Sequence, residues 1–106
     1  MAKYMIQGNY VGEGVKGLLK EGGSKRRAAV EKLIGSLGGK VESLYYAFGA
    51  TDIYGVVDMP DNVSAAAVAL TVNASGAVAI QTTVLMTPEE MDEATKKTPT
   101  HRPPGS

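Results

Sequence analysis

The chain has 106 residues, enough for one domain that buries roughly two-thirds of the surface its unfolded form exposes. With 43% apolar and 21% charged residues it is neither a disordered segment nor a fibre, and eleven basic side chains balance eleven acidic ones, so the overall field gives no reason to expect nucleic acid or anionic lipid as a partner. No cysteine and a single histidine, His101, rule out a disulfide framework, thiolate chemistry and a Cys/His zinc cluster, and no metal is expected.

The segment Met1 to Tyr10 lacks the apolar core of a signal peptide, and no stretch approaches the roughly 20 apolar residues of a membrane span. A cytoplasmic protein is expected. Residues Lys3 to Tyr10 alternate, with Tyr4, Ile6, Gly8 and Tyr10 on one face and Met5, Gln7 and Asn9 on the other, as in a half-buried strand. A short helical piece from Gly12 to Lys20 follows, interrupted at Gly22-Gly23. Ser24 suits the N-cap of the next helix, on which Val30, Leu33, Ile34 and Leu37 recur at i, i+3, i+4 and i+7 until Gly38-Gly39 ends it.

Two strands, Lys40 to Phe48 and Asp52 to Met59, are joined by the short connection Gly49-Ala50-Thr51, as in an antiparallel hairpin. After Pro60, Asp61 or Asn62 can cap an alanine-rich helix running to about Asn73. Ala77 to Met86 is rich in β-branched residues and reads as a fourth strand. Thr87-Pro88-Glu89-Glu90 is a capping box that starts a third helix ending near Lys97, and the proline-bearing tail cannot continue it. The order is βαββαβ plus a short C-terminal helix and an extended tail. It predicts an α+β, ferredoxin-like sandwich: a four-stranded antiparallel sheet with both crossover helices on one face. The domain is expected over 1–97, with 98–106 as the tail.

Such a sandwich leaves one sheet face open, and what covers that face decides the biology. Alternation places Met5, Gln7 and Asn9, then Asp52, Tyr54, Val56 and Asp58, then Ala79, Gln81, Thr83 and Leu85 on it. One register of the second strand adds Leu44, Tyr46 and Phe48. A contiguous patch this apolar predicts a homo-oligomer, with a face-to-face dimer favoured; the alternative is an ordinarily wetted face. From Ala65 to Val72 the second helix has only Thr71 as a polar residue, so it too offers more apolar circumference than one sheet covers.

The runs Gly38-Gly39, Tyr45-Tyr46-Ala47-Phe48-Gly49, Asp52-x-Tyr54, Val57-Asp58, Pro60-Asp61, Gly76-Ala77-Val78 and Thr82-Thr83 resemble the GYD domain family over about residues 3 to 97. Of the motif behind that name the chain keeps Gly49 and Asp52 and has Thr51 where the tyrosine would stand. The resemblance implies an oligomeric sandwich, of the dimeric α/β-barrel type or otherwise, and brings no catalytic residues with it.

Three constellations could carry chemistry. Asp52, Tyr54 and Asp58 share one face of a strand, with Tyr46 and Asn9 as candidate neighbours; enclosed by a second subunit, such carboxylates could act as acid or base, and in the open they would merely cap a hairpin and solvate a strand end. Lys25, Arg26 and Arg27 stand in the first turn of the main helix, where cations are misplaced unless an anion joins them or Arg27 pairs with Glu31. Gly12-x-Gly14-x-x-Gly17 matches a dinucleotide fingerprint by spacing, but no parallel unit with a ribose-binding acid follows, so no cofactor is expected. Two functional readings remain open: an oligomeric module that binds a small molecule or serves as a structural partner through its sheet face and subunit junctions, and a cofactor-independent monooxygenase or isomerase using the carboxylate and tyrosine group.

Overall fold

A computed structural model describes all of residues 1–106. The elements are β1 (Ala2–Tyr10), α1 (Glu13–Ser36), β2 (Lys40–Tyr46), β3 (Ile53–Met59), α2 (Asn62–Ala74), β4 (Val78–Leu85) and α3 (Pro88–Lys96). The strands form one antiparallel sheet in the order β2-β3-β1-β4, so each helical crossover skips one strand. This is the ferredoxin-like α+β sandwich, with an additional C-terminal helix.

Local chemistry explains the boundaries. The Asp61 carboxylate accepts from the Ser64 amide at 2.8 Å and caps α2, which holds its carboxyl below the usual range. Both halves of the Thr87/Glu90 capping box form, at 3.1 and 2.9 Å. In α1 the helical path breaks at Gly22, whose φ of 80° lies in the left-handed region that glycine tolerates. Gly22, not Ser24, therefore stands at the head of the second segment, and Ser24 falls within its first turn. A Cβ on Gly14 would run into the Ala77 carbonyl, so a glycine is needed where α1 starts beside β4.

The core lies between the helices and the face of the sheet that carries Tyr4, Val57 and Met59. Ile34 of α1 and Ala65 and Val68 of α2 close over them. The Tyr4 hydroxyl donates to Asn62 at the start of α2, so the largest buried ring has a partner for its polar end.

One sequence expectation fails here. The register of β2 against β3 shifts between Val41 and Ser43, so Glu42 is an extra residue opposite β3. Beyond this bulge every side chain of β2 changes face. Leu44 pairs with Gly55 and Tyr46 with Ile53, which places them on the helix side, whereas Tyr45 pairs with Tyr54 on the open side. The outward set Leu44, Tyr46 and Phe48 expected from unbroken alternation is therefore replaced by Ser43 and Tyr45. Phe48 lies beyond the end of β2 and is fully exposed.

Met59 has no exposed surface. Replacing it with alanine leaves a hole beneath both helices, and Met59→Ala is expected to lower unfolding stability by about 3 kcal/mol in a denaturant titration. Leu70→Ala, at a position 73% exposed, should change it by less than about 0.5 kcal/mol.

Candidate functional site

The open face is ordered in rows that cross the sheet. The central row runs Tyr45, Tyr54, Gln7, Gln81 through all four strands, with the two glutamine side chains hydrogen-bonded to each other at 3.4 Å. The next row is Ser43, Val56, Met5, Thr83, and beyond it come Lys40, Asp58, Lys3 and Leu85. Tyr45 is 72% and Tyr54 40% exposed, so two aromatic rings side by side face solvent. Where β1 ends, Gln7, Asn9, Thr51, Ala79 and Gln81 line an open depression of about 440 Å³ that contains no ionisable side chain.

The acidic candidates separate. Asp52 and Asp58 share a face but stand six residues apart along an extended strand, roughly 20 Å, too far to share a proton or a substrate atom. Asp58 accepts from the Lys3 ammonium at 2.9 Å, and Glu42, placed by the bulge, accepts from the same ammonium at 3.2 Å. These bonds, that to Asp58 foremost, raise the Lys3 pKa. The Asp52 carboxylate accepts from the Tyr10 amide at 3.0 Å, while its own amide is 3.0 Å from the Asn9 side-chain oxygen and 2.9 Å from the Gly8 carbonyl. Asp52 and Asn9 thus tie the β2–β3 connection to the end of β1.

Tyr46 does not join them. Its hydroxyl donates to the Gly23 carbonyl at 3.1 Å on the helix side, near Tyr10 and Arg26. The residue is partly exposed, and burial, followed by the influence of Tyr10, pushes the phenol up to about 12 against the opposing pull of Arg26. Such a phenol is protonated at neutral pH and is no general base.

The basic run is largely paired. Arg26 is 3.4 Å from Glu21 and Arg27 3.5 Å from Glu31, the latter pair as the i, i+4 spacing predicts, and Lys25 is exposed. No group of three or more His, Cys, Asp or Glu side chains is gathered in a way that could hold a metal ion, and no helix is long and apolar enough to cross a membrane. Sequence reasoning missed Tyr45 as an open-face residue and Glu42 as a partner of Lys3. The only signal was the unbroken Leu44-Tyr45-Tyr46 run, which suits either register.

Two outcomes test these assignments. If Asp52 is a structural tie, Asp52→Asn, which keeps an acceptor oxygen, should retain near-native stability, whereas Asp52→Ala should lose about 1–3 kcal/mol in denaturant unfolding. Because the folded-state pKa of Tyr46 lies above its unfolded value of 10.0, its contribution to stability is complete below pH 10 and is lost as pH rises toward about 12. Thermal unfolding measured across that window should decline less steeply for Tyr46→Phe than for the parent chain.

Comparison with curated proteins found no match, and comparison with solved structures found none either. The family model described as GYD domain matches residues 4–95, a span that runs from β1 into α3 and includes the whole open face. The chain belongs to the GYD domain family.

Proposed function

We propose that this chain works as a homo-oligomeric binding module whose copies pair through the open sheet face, most simply as a two-fold dimer. The observation that carries this reading is the exposed row Tyr45–Tyr54–Gln7–Gln81, flanked by Met5 and Val56. Tyrosine and glutamine together suit an interface: the rings supply apolar area with a polar tip, and the amides can hydrogen-bond across a two-fold axis. Lys3, Asp58 and Glu42 form a charged edge to the patch.

Two further features support association. The chain alone buries only eleven residues, and its radius of gyration of 17.0 Å exceeds the roughly 13 Å of a compact chain this long. α3 buries none of its residues and presents Met91, half exposed, beside acidic Glu89, Glu90, Asp92 and Glu93. A second copy over the open face would also close the depression lined by Gln7, Asn9, Thr51 and Gln81, giving a neutral, hydrogen-bonding chamber suited to a small polar molecule. The catalytic reading has less support, because its carboxylates are at opposite ends of β3 and Tyr46 is on the other side of the sheet.

Light scattering coupled to size exclusion tests the proposal. The parent chain is expected at about twice its 11.0 kDa mass or more, and Tyr45→Glu/Tyr54→Glu at the monomer mass with its circular dichroism unchanged. A parent chain that is monomeric at micromolar concentration, or an oligomer indifferent to the double substitution but dissociated by Leu70→Glu on α2, overturns it.

A further inference from the structure

On the opposite side of the sheet, α1 and α2 cross the strands without packing along each other, and an apolar cavity of about 100 Å³ lies between them. Val30 and Leu33 of α1, Val68 and Val72 of α2, and Ile6 of β1 form its walls. Its floor is Gly55, the one helix-facing position of β3 without a side chain, in a row otherwise made of Ile53, Val57 and Met59. A Cβ at Gly55 would meet nothing closer than the Ser43 carbonyl at 3.5 Å, an ordinary contact. The glycine is therefore not required by crowding around its Cβ, and its φ is not positive. A strand-interior glycine weakens a sheet and often marks a bulge, a bend or a close approach by a ligand or another backbone; here Gly55 pairs with Leu44, just past the bulge in β2, and leaves the space above it unfilled.

Fourteen residues line the cavity, twelve of them hydrophobic; apart from Gly55 the exception is Arg26, its only charged side chain. Arg26 also lines a second recess, bounded by Tyr10, Glu13, Gly17 and Glu21, so it stands where the apolar lining gives way to a polar one. Its guanidinium is held only by a 3.4 Å contact to Glu21, and its side chain remains 31% exposed. A cation at the mouth of an otherwise apolar cavity is complementary to an amphipathic anion, whose carboxylate can take both oxygens to the guanidinium in place of Glu21.

We propose that this cavity binds a compact apolar carboxylic acid, with the hydrocarbon over Gly55 and the carboxylate on Arg26. The site lies on the face away from the subunit contact proposed above and does not depend on it.

Hexanoate and hexanol serve as probes, followed by the NMR shifts of the Ile6, Val30, Val68 and Val72 methyl groups and by calorimetry. Hexanoate is expected to move those methyls in the parent chain. Arg26→Gln should weaken hexanoate about tenfold and leave hexanol unchanged. Gly55→Leu should abolish binding of both by filling the floor, and Ala29→Leu, which intrudes from α1, does the same if the strand substitution fails to fold. The same titration on Tyr45→Glu/Tyr54→Glu separates loss of the ligand from loss of association. Three results would each overturn the proposal: no shift at the lining methyls, hexanoate affinity indifferent to Arg26→Gln, or methyls that shift with protein concentration alone, which would mean that a second copy fills the gap.

Discussion

Between Val41 and Ser43, β2 has one residue more than β3 can pair with, and the chain absorbs Glu42 as a bulge. Side chains alternate with a period of two, so this single insertion decides which face each later residue of β2 occupies. It turns Leu44 to the helix side beside Gly55, brings Tyr46 to the same side against α1, and sets Tyr45 next to Tyr54 on the open face. It also frees Glu42 to reach Lys3, which Asp58 already holds. Without the bulge the aromatic pair on the open face would not exist, and the phenol that meets Gly23 would point to solvent.

The two faces of the sheet pose different problems. On the helix side the buried cluster is small: Tyr4, Ile34, Val57, Met59, Ala65 and Val68, with Ile6, Val30, Leu33, Val41 and Val72 only partly covered. Alanine-rich α2 brings short side chains to the sheet, and Gly55 brings none, so the layers meet near Met59 and gape near Ile6. On the open side the difficulty is excess, because tyrosine, methionine and valine side chains lie in adjoining rows with nothing of the same chain above them. Burying apolar area yields about 25 cal/mol per Å², so both the gape and the bare face leave stabilisation unrealised in the single chain.

The charged residues are arranged for structure more than for chemistry. Lys3 is shared by Asp58 and Glu42 at one end of the open face, and Asp52 is occupied by the Tyr10 amide at the other. Arg27 lies along its helix with Glu31. Arg26 differs: it faces an apolar interior, and its acidic neighbour Glu21 sits on the far side of the Gly22 break, so their separation depends on the angle between the two segments of α1.

The sequence by itself determined the order of the elements, the break in α1, the caps at Asp61 and Thr87, the Arg27–Glu31 pair and the faces of β1, β3 and β4. Each of these depends on residues within about four positions of one another, where periodicity, glycine freedom and side-chain capping act whatever the rest of the chain does. The roughly 20 Å between Asp52 and Asp58 was also implicit in their spacing, although a shared face suggested a shared site. Only the tertiary structure decided the faces of β2, since a bulge is defined by the partner strand and Leu44-Tyr45-Tyr46 fits either register. It alone set the gap between α1 and α2 as well, because the volume left above Gly55 depends on side chains from three separate stretches of chain that meet only in the folded core.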